Sequence, residues 1–348
     1  MSKRFKLLAV LLALVMFAAA CGDDSSDDNA GDAGDAGDAG DTGDAGDSGD
    51  AGDEPVDQTQ GGDLTFHMIT HSDDGPFWSV VKRGMEAACA DVGVTCVWNP
   101  GVNDAGQMVT DIEAAIASGT NGIAASLPDP DALVGPLSEA VAAGIPVYTL
   151  NSGVDFYKEI GATSHVGQTE VVAGNGAGER LNALGATHVL CAFQEEGNVG
   201  LTERCQGLEE TFEGDVTIEF GGLDADQTNQ EATINALLSA DPSIDAVLGT
   251  GPVIAMSALR ASEAVGRDAA IGGFDITPEI IDAIEAGSIA FTVDQQQYLQ
   301  GYLPIILMYL ESTNQNTAGG GLPILTGPGF VTPDNAAEVK ALVEAGTR

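Results

Sequence analysis

The chain reads as an α/β protein of two similar lobes, each a parallel β-sheet sandwiched by helices. Three observations lead there. From Asp63 to Arg348 short β-branched runs alternate with longer Ala-rich amphipathic stretches, the pattern of parallel strands wrapped by helices. In a chain of 348 residues that alternation continues beyond the size of one ordinary domain. The halves also repeat one order of elements. "GIAASLPDPDALVGPLSEAVAAGIPVYTLN" runs strand, polar loop, helix, Gly and strand to Asn151, and "AVLGTGPVIAMSALRASEAVGRDAAIGGFD" does the same to Asp275.

In chain order, strands are expected at "DLTFHMIT", "TCVW", "GIAASL", "PVYTLN", "THVLCAF", "VTIEF", "AVLGT", "AAIGGF" and "IAFTV". The helices between them include "SVVKRGMEAACADVG", "DAGQMVTDIEAAIASG", "PDALVGPLSEAVAAG", "TEVVAGNGAGERLNALG", "TNQEATINALLSA" and "VIAMSALRASEAVG". Many close on Gly, the favoured residue just past a helix end. "DDGPFWS" places Phe77 and Trp78 where a Gly-Pro turn gives way to a helix, in a chain that is only 5% aromatic. A turn after the first strand, at the carboxyl edge of a parallel sheet, is where a ligand cleft forms. Loss of the Trp78 ring is therefore expected to remove binding and leave the ligand-free protein almost as stable.

Both the start of the chain and its charge bear on location. Lys3, Arg4 and Lys6 precede the apolar run "LLAVLLALVMFAAA", which is too short to span a bilayer and ends in small residues before Cys21. That layout is a secretory signal over 1–21. Cys21 resembles the lipidated cysteine of a bacterial lipobox, although Ala18 stands where Leu is usual. Residues 22–62 carry Gly at every third position from Gly31, with 14 acidic residues and no basic ones. Collagen is excluded by the missing Pro in the triplets and by the like charge in each repeat. The segment reads as a self-repelling, disordered acidic tether. The remaining 39 acidic against 9 basic residues argue against nucleic acid or anionic lipid as a partner.

With Cys21 assigned to lipid, Cys89, Cys96, Cys191 and Cys205 remain, an even number in an exported chain. Four cysteines allow three pairings. Cys89–Cys96 and Cys191–Cys205 are favoured because each joins a helix to the strand beside it. No Cys or His spacing points to a metal, and no cofactor is expected.

Enzyme signatures fail on inspection. "GNGAG" at Gly174–Gly178 lacks the third spaced glycine of a dinucleotide loop and follows "HVGQTEVVA", which reads as helix; close helix packing is the better reading. No phosphate loop or nucleophile elbow occurs, and His67, His71, His165 and His188 sit near no convincing nucleophile. Asp275 and Asp294 at strand ends have the residue type of a glycosidase pair, but carboxylates so placed more often accept ligand hydroxyls. The polar residues at strand ends are Asp73, Asp74, Ser126, Asn151, Gln194 to Glu196, Thr250, Asp275 and Asp294.

Together, "DGPFWSVVKRG", "GIPVYTLNSG", "HVGQTE", "EGNVGLTERCQG", "GGFDITPE" and "VDQQQYLQGYLP" resemble the solute-binding proteins of bacterial sugar ABC importers, in particular the ribose-binding type with two hinged α/β lobes. The likeness covers nearly all of 63–348. It implies a periplasmic binding protein-like fold with a three-stranded hinge, crossing near 164–168, 292–295 and 319–325. One lobe would then hold 63–165 plus about 295–320, and the other 166–294 plus about 321–348.

The resemblance also implies a ligand set of Asp74, Phe77, Trp78, Ser126, Asn151, Arg204, Thr250, Asp275 and Asp294. Phe77 and Trp78 match the family's aromatic pair and Asp275 its "GFD" aspartate. Thr202 or Arg204 falls at the family Arg, and "ERCQG" favours Arg204. Asn151-Ser152 replaces the Asp-Arg of ribose binders, Gly251 a second-lobe Asn, and Asp294 the usual Gln. A neutral sugar or polyol other than ribose is therefore implied, and with only Arg204 and Lys158 as nearby cations an anionic ligand is not. Implied partners are an ABC permease and its ATPase, with the protein a monomer, lipid-anchored at the outer face of the cytoplasmic membrane or in the periplasm. The competing reading is a sensor that docks on a receptor or kinase with an inositol-like or autoinducer-like ligand. An enzyme of this layered fold would turn its ligand over.

Overall fold

The computed structural model of the protein describes residues 62–73 and 75–348. The expectations for the signal peptide, for the tether up to residue 61, for Cys21 and for Asp74 lie outside the described residues.

The chain runs β1 (Thr65–Thr70), α1 (Gly75–Val92), β2 (Thr95–Pro100), α2 (Ala105–Ser118), β3 (Gly122–Ser126), α3 (Pro130–Ala142), β4 (Val147–Leu150), α4 (Tyr157–Ile160) and β5 (Ser164–Gly167). It continues through α5 (Glu170–Ala183), β6 (His188–Phe193), α6 (Val199–Thr211), β7 (Asp215–Phe220), α7 (Gln227–Ala240), β8 (Ala246–Gly249), α8 (Pro252–Ala264), β9 (Ala270–Phe274), α9 (Pro278–Glu285) and β10 (Phe291–Asp294). α10 (Gln297–Asn314), β11 (Ile324–Leu325), β12 (Gly329–Val331) and α11 (Ala336–Ala345) complete it.

Two sheets result, ordered β11-β5-β4-β3-β1-β2 and β12-β10-β9-β8-β6-β7. Neighbouring strands are parallel throughout except β12, which runs antiparallel to β10. Each sheet has helices on both faces, which is why β3, β4, β8 and β9 read as continuous apolar or small-residue runs. "HVG" at 165–167, read from sequence as part of a helix, belongs to β5. That strand is completed by pairing with β4 and β11, and α5 begins only at Glu170.

The chain passes between sheets three times: after β5, after β10 and between β11 and β12. The third passage comes after Leu325, later than the expected 319–325, because Ile324 and Leu325 pair with Val166 and Gly167 of the first sheet. α10 returns to the first sheet and lies against α1. Both helices carry a glycine at the contact: a Cβ on Gly301 would strike the Val81 carbonyl oxygen, and one on Gly84 the Tyr298 carbonyl oxygen. "GNGAG" lies inside α5 and packs on α6, where a Cβ on Gly174 would strike the Arg204 carbonyl oxygen. The backbone that carries Arg204 is thereby pressed against α5.

Disulfides join Cys89 of α1 to Cys96 of β2 and Cys191 of β6 to Cys205 of α6, with Cα–Cα distances of 6.2 and 5.9 Å. The second lies beside Arg204 and closes a sequence separation of 14 residues. A loop of that size constrains the unfolded chain by about 3 kcal/mol. Cys191→Ala with Cys205→Ala is expected to lower the unfolding free energy by about 2–4 kcal/mol in urea titration.

Candidate functional site

The carboxyl ends of both sheets face each other across one cavity, walled by His71, Phe77, Trp78, Asn151, Arg204, Asp275 and Gln295 among others. About 100 Å³ of it admits the centres of water molecules. His71 follows β1, Asn151 follows β4, Asp275 follows β9 and Gln295 follows β10, so strand ends supply most of the polar wall. Asn151 and Asp275 close equivalent strands of the two repeats. Both take left-handed backbone, with φ of 61° and 66°, a conformation that Asn and Asp tolerate better than most residues. The sharp turn stops each strand.

One hydrogen-bonded chain links the two lobes through the second passage. Gln295 Nε2 donates to Asp275 Oδ1 at 2.6 Å, Gln300 Nε2 donates to Gln295 Oε1 at 2.7 Å, and Asn151 Nδ2 reaches Gln300 Oε1 at 3.3 Å. Over the cavity the lobes also meet directly. Val199 N–H donates to the Pro128 carbonyl at 2.9 Å, and the Ser152 hydroxyl to Asn198 Oδ1 at 3.1 Å. His71 Nε2 lies 3.4 Å from Glu195 Oε2.

Phe77 and Trp78 fall in the first turn of α1 and form the apolar wall. Their rings meet edge to face at 4.9 Å, and Trp78 meets His71 in the same way at 4.7 Å. Trp78 is also packed into the first lobe's core, near Trp98 at 6.5 Å and only 4% exposed. The pair is therefore both core and cavity wall.

The electrostatics turn on three buried groups. Arg204 Nε and Nη2 donate to the Glu170 carboxylate at 2.7 and 3.1 Å, and Nη1 donates to the Thr250 carbonyl at 2.6 Å. Burial works against the guanidinium charge, but Glu170 and Asp275 outweigh it and hold the Arg204 pKa above its usual value. Burial pushes the Asp275 carboxyl up to about 7, against the opposing pull of Arg204 and the Gln295 hydrogen bond. Burial lowers His71, so that the ring is neutral over Glu195.

Of the residues expected at the ligand, Phe77, Trp78, Asn151, Arg204 and Asp275 lie on the wall, and Ser126, Thr250 and Asp294 do not. Ser126 sits behind His71, its hydroxyl 2.9 Å from both the His71 N–H and Nδ1. Thr250 sits behind Arg204 and donates its own hydroxyl to Gln194. Asp294 turns away from the cavity: it accepts from Arg348 Nε at 2.8 Å and from the Gln296 N–H, and the next residue, Gln295, takes the wall position. Lys158 lies off the wall, with its ammonium over the Tyr157 ring. Asn198, Asp224 and Gln295 are wall residues that the sequence did not single out; His71 was weighed only as a catalytic histidine, and Ser152 only as the replacement for an Arg of ribose binders. Asn198 caps the start of α6 and Gln295 follows β10, whereas Asp224 lies in the loop between β7 and α7. Among the described residues no His, Cys, Asp and Glu cluster has metal-site geometry, and no helix is long and apolar enough to cross a membrane.

Two sheet-and-helix lobes, three passages between them and a walled cavity at the carboxyl edges define a hinged two-lobed binding protein. A family model described as periplasmic binding protein domain matches residues 66–315. The chain belongs to that family. It is 41% identical to a carbohydrate transporter from Acidothermus cellulolyticus 11B crystallised with myo-inositol; the match covers 82% of this chain and 99% of that one, with a TM-score of 0.80. It is 30% identical over 285 residues to the xylose/arabinose-binding protein of Sulfolobus acidocaldarius, covering 77% of this chain and 70% of that one. The ribose import binding protein of Bacillus subtilis is 24% identical, with 72% and 82% covered.

Proposed function

We propose that this chain captures a neutral sugar or cyclic polyol between its lobes and delivers it to an ABC permease, from a lipid anchor at Cys21 outside the cytoplasmic membrane. The observation that carries the reading is the pairing, on one cavity, of the Phe77–Trp78 wall with Asn151, Asp275 and Gln295. A sugar or inositol ring has apolar C–H faces and a rim of hydroxyls. Aromatic rings suit the face, and carboxylate and amide oxygens suit the rim. An apolar ligand would leave those buried polar groups unpaired, at about 1–3 kcal/mol each. The relatives that bind myo-inositol, xylose, arabinose or ribose support this class. Asn151-Ser152, in place of the Asp-Arg expected of ribose binders, favours a ring other than ribose.

Ligand would bridge the lobes and draw a hinged open form toward the closed one by its differential affinity. A thermal-shift screen over myo-inositol, xylose, arabinose and ribose tests the reading. The true ligand at 100 times its Kd stabilises the folded state by ~2.7 kcal/mol. A melt moved by nucleosides or amino acids, and by none of the sugars and polyols, would sink it.

A further inference from the structure

We propose that Glu170, which does not touch the cavity, sets its selectivity: by holding Arg204 in a buried, two-bonded ion pair it cancels the guanidinium charge on the wall and makes the site choose uncharged rings over ring carboxylates. The inference rests on the sugar and polyol reading above and extends it to a residue behind the wall.

Arg204 is the only Arg or Lys on the wall among the described residues, and taken alone it would invite an anion. Its surroundings withdraw that invitation. Glu170 is only 1% exposed and stands at the first position of α5, where the helix dipole favours its negative charge. Its carboxylate accepts from Nε and Nη2 of Arg204 and, at 2.8 Å, from Gln168 Nε2. The Thr250 carbonyl takes a third N–H of Arg204. The guanidinium carbon lies 4.5 Å from the centre of the buried Phe274 ring. An arginine has five N–H groups, so two remain for ligand oxygens. Neither is engaged by Asp275, whose nearer oxygen is 3.9 Å from Nη1, beyond hydrogen-bond reach.

Arg204 therefore offers the ligand oriented donors without a net charge. The rest of the wall is acidic, with Asp275, Asp224 and Glu195. A ring bearing a carboxylate meets a net negative surface, whereas a ring bearing only hydroxyls can both donate to the acids and accept from Arg204. Replacing Glu170 by an uncharged group of the same shape returns the positive charge to the wall. Glu170 is in this sense a positioning residue: its effect reaches the ligand through Arg204.

The test is calorimetric titration of the wild-type protein and Glu170→Gln with myo-inositol and with D-glucuronate, a ring of similar size that carries a carboxylate, with circular dichroism to confirm the fold. Wild type is expected to bind myo-inositol at least 100-fold more tightly than glucuronate. Glu170→Gln is expected to narrow that ratio at least tenfold, by gaining affinity for glucuronate. A variant that folds and weakens both ligands equally, or leaves the ratio unchanged, would overturn the proposal and leave Glu170 a purely structural residue.

Removing one partner of a buried ion pair is destabilising, so the comparison is repeated from the other partner and, decisively, with both charges removed together, the fold of each protein being confirmed by circular dichroism. Arg204→Gln alone leaves Glu170 uncompensated and is expected to widen the ratio at least tenfold. Arg204→Gln with Glu170→Gln should return it to near the wild-type value. Equal ratios in these two proteins would likewise refute the charge argument. Failure of wild type to bind any neutral ring is a separate result: it counts against the sugar and polyol reading.

Discussion

Trp78→Ala is expected to abolish ligand binding and also to destabilise the ligand-free protein by about 3–5 kcal/mol, the range for emptying an aromatic site in a packed core. The sequence alone led to the opposite expectation for stability, because a ring at the mouth of a parallel sheet reads as wall and not as core. The structure changes that expectation. Trp78 packs with Phe77, His71 and Trp98 and is nearly inaccessible, so truncation leaves a hole shared by core and cavity. In a domain of this size the melting temperature should fall by on the order of 10 °C.

The two losses are separated by Trp78→Phe. It keeps an aromatic edge toward His71 and most of the volume, so it should fold with a smaller penalty and bind with reduced affinity. Urea titration gives the first quantity and calorimetry the second. If Trp78→Ala bound ligand as the wild type does, the ring would be core alone, and the apolar wall would have to be Phe77.

Most of the architecture was legible in the chain because its signals are local. Nine strands announced themselves as β-branched or small apolar runs closed by turns, and the internal repeat placed Asn151 and Asp275 at matching strand ends. β5, β11 and β12 did not: β11 and β12 have only two and three residues, and β5 runs directly into a segment that reads as helix. β11 also pairs with β5 across more than 150 residues. The site divides in the same way. Residues that end a strand could be located, but the choice between Asp294 and Gln295 could not. Successive side chains past a strand point to opposite sides, and what claims Asp294 is Arg348, 54 residues away. Asn198 and Glu195 come to His71 only because the lobes meet, and Glu170 comes to Arg204 only because α5 lies against α6. No pattern within either segment carries that information.

Ligand affinity is expected to fall as the pH drops through about 7, because Asp275 has to be ionised to accept two or more ligand hydroxyls and burial has raised its carboxyl to about that value. Below it, each pH unit should weaken binding by up to tenfold, and between pH 8 and 5.5 the total should exceed tenfold. The stability of the ligand-free protein moves the other way over the upper part of that range. Asp275 and the buried Glu203, which burial and the neighbouring Glu170 and Asp155 also raise to about 7, favour the folded state when neutral. Their contribution is full below the values they have in the unfolded chain and is lost as the pH rises through about 7.

Two buried histidines limit the gain at lower pH. Burial lowers His71, and it lowers His165 to about 3, so their contribution is present above the unfolded value of 6.5 and is lost as the pH falls below it. Unfolding free energy from urea titration should therefore rise from pH 8 to about 6.5 and then level off, while affinity falls steadily over the same interval. Asp275→Asn keeps the shape and removes the titration. It should bind more weakly at pH 8, with an affinity that no longer changes between pH 8 and 5.5. An affinity independent of pH in the wild-type protein would mean that the ligand's hydroxyls do not bond to Asp275, and the rim of the ring would have to be read by Asn151, Gln295 and Arg204 alone.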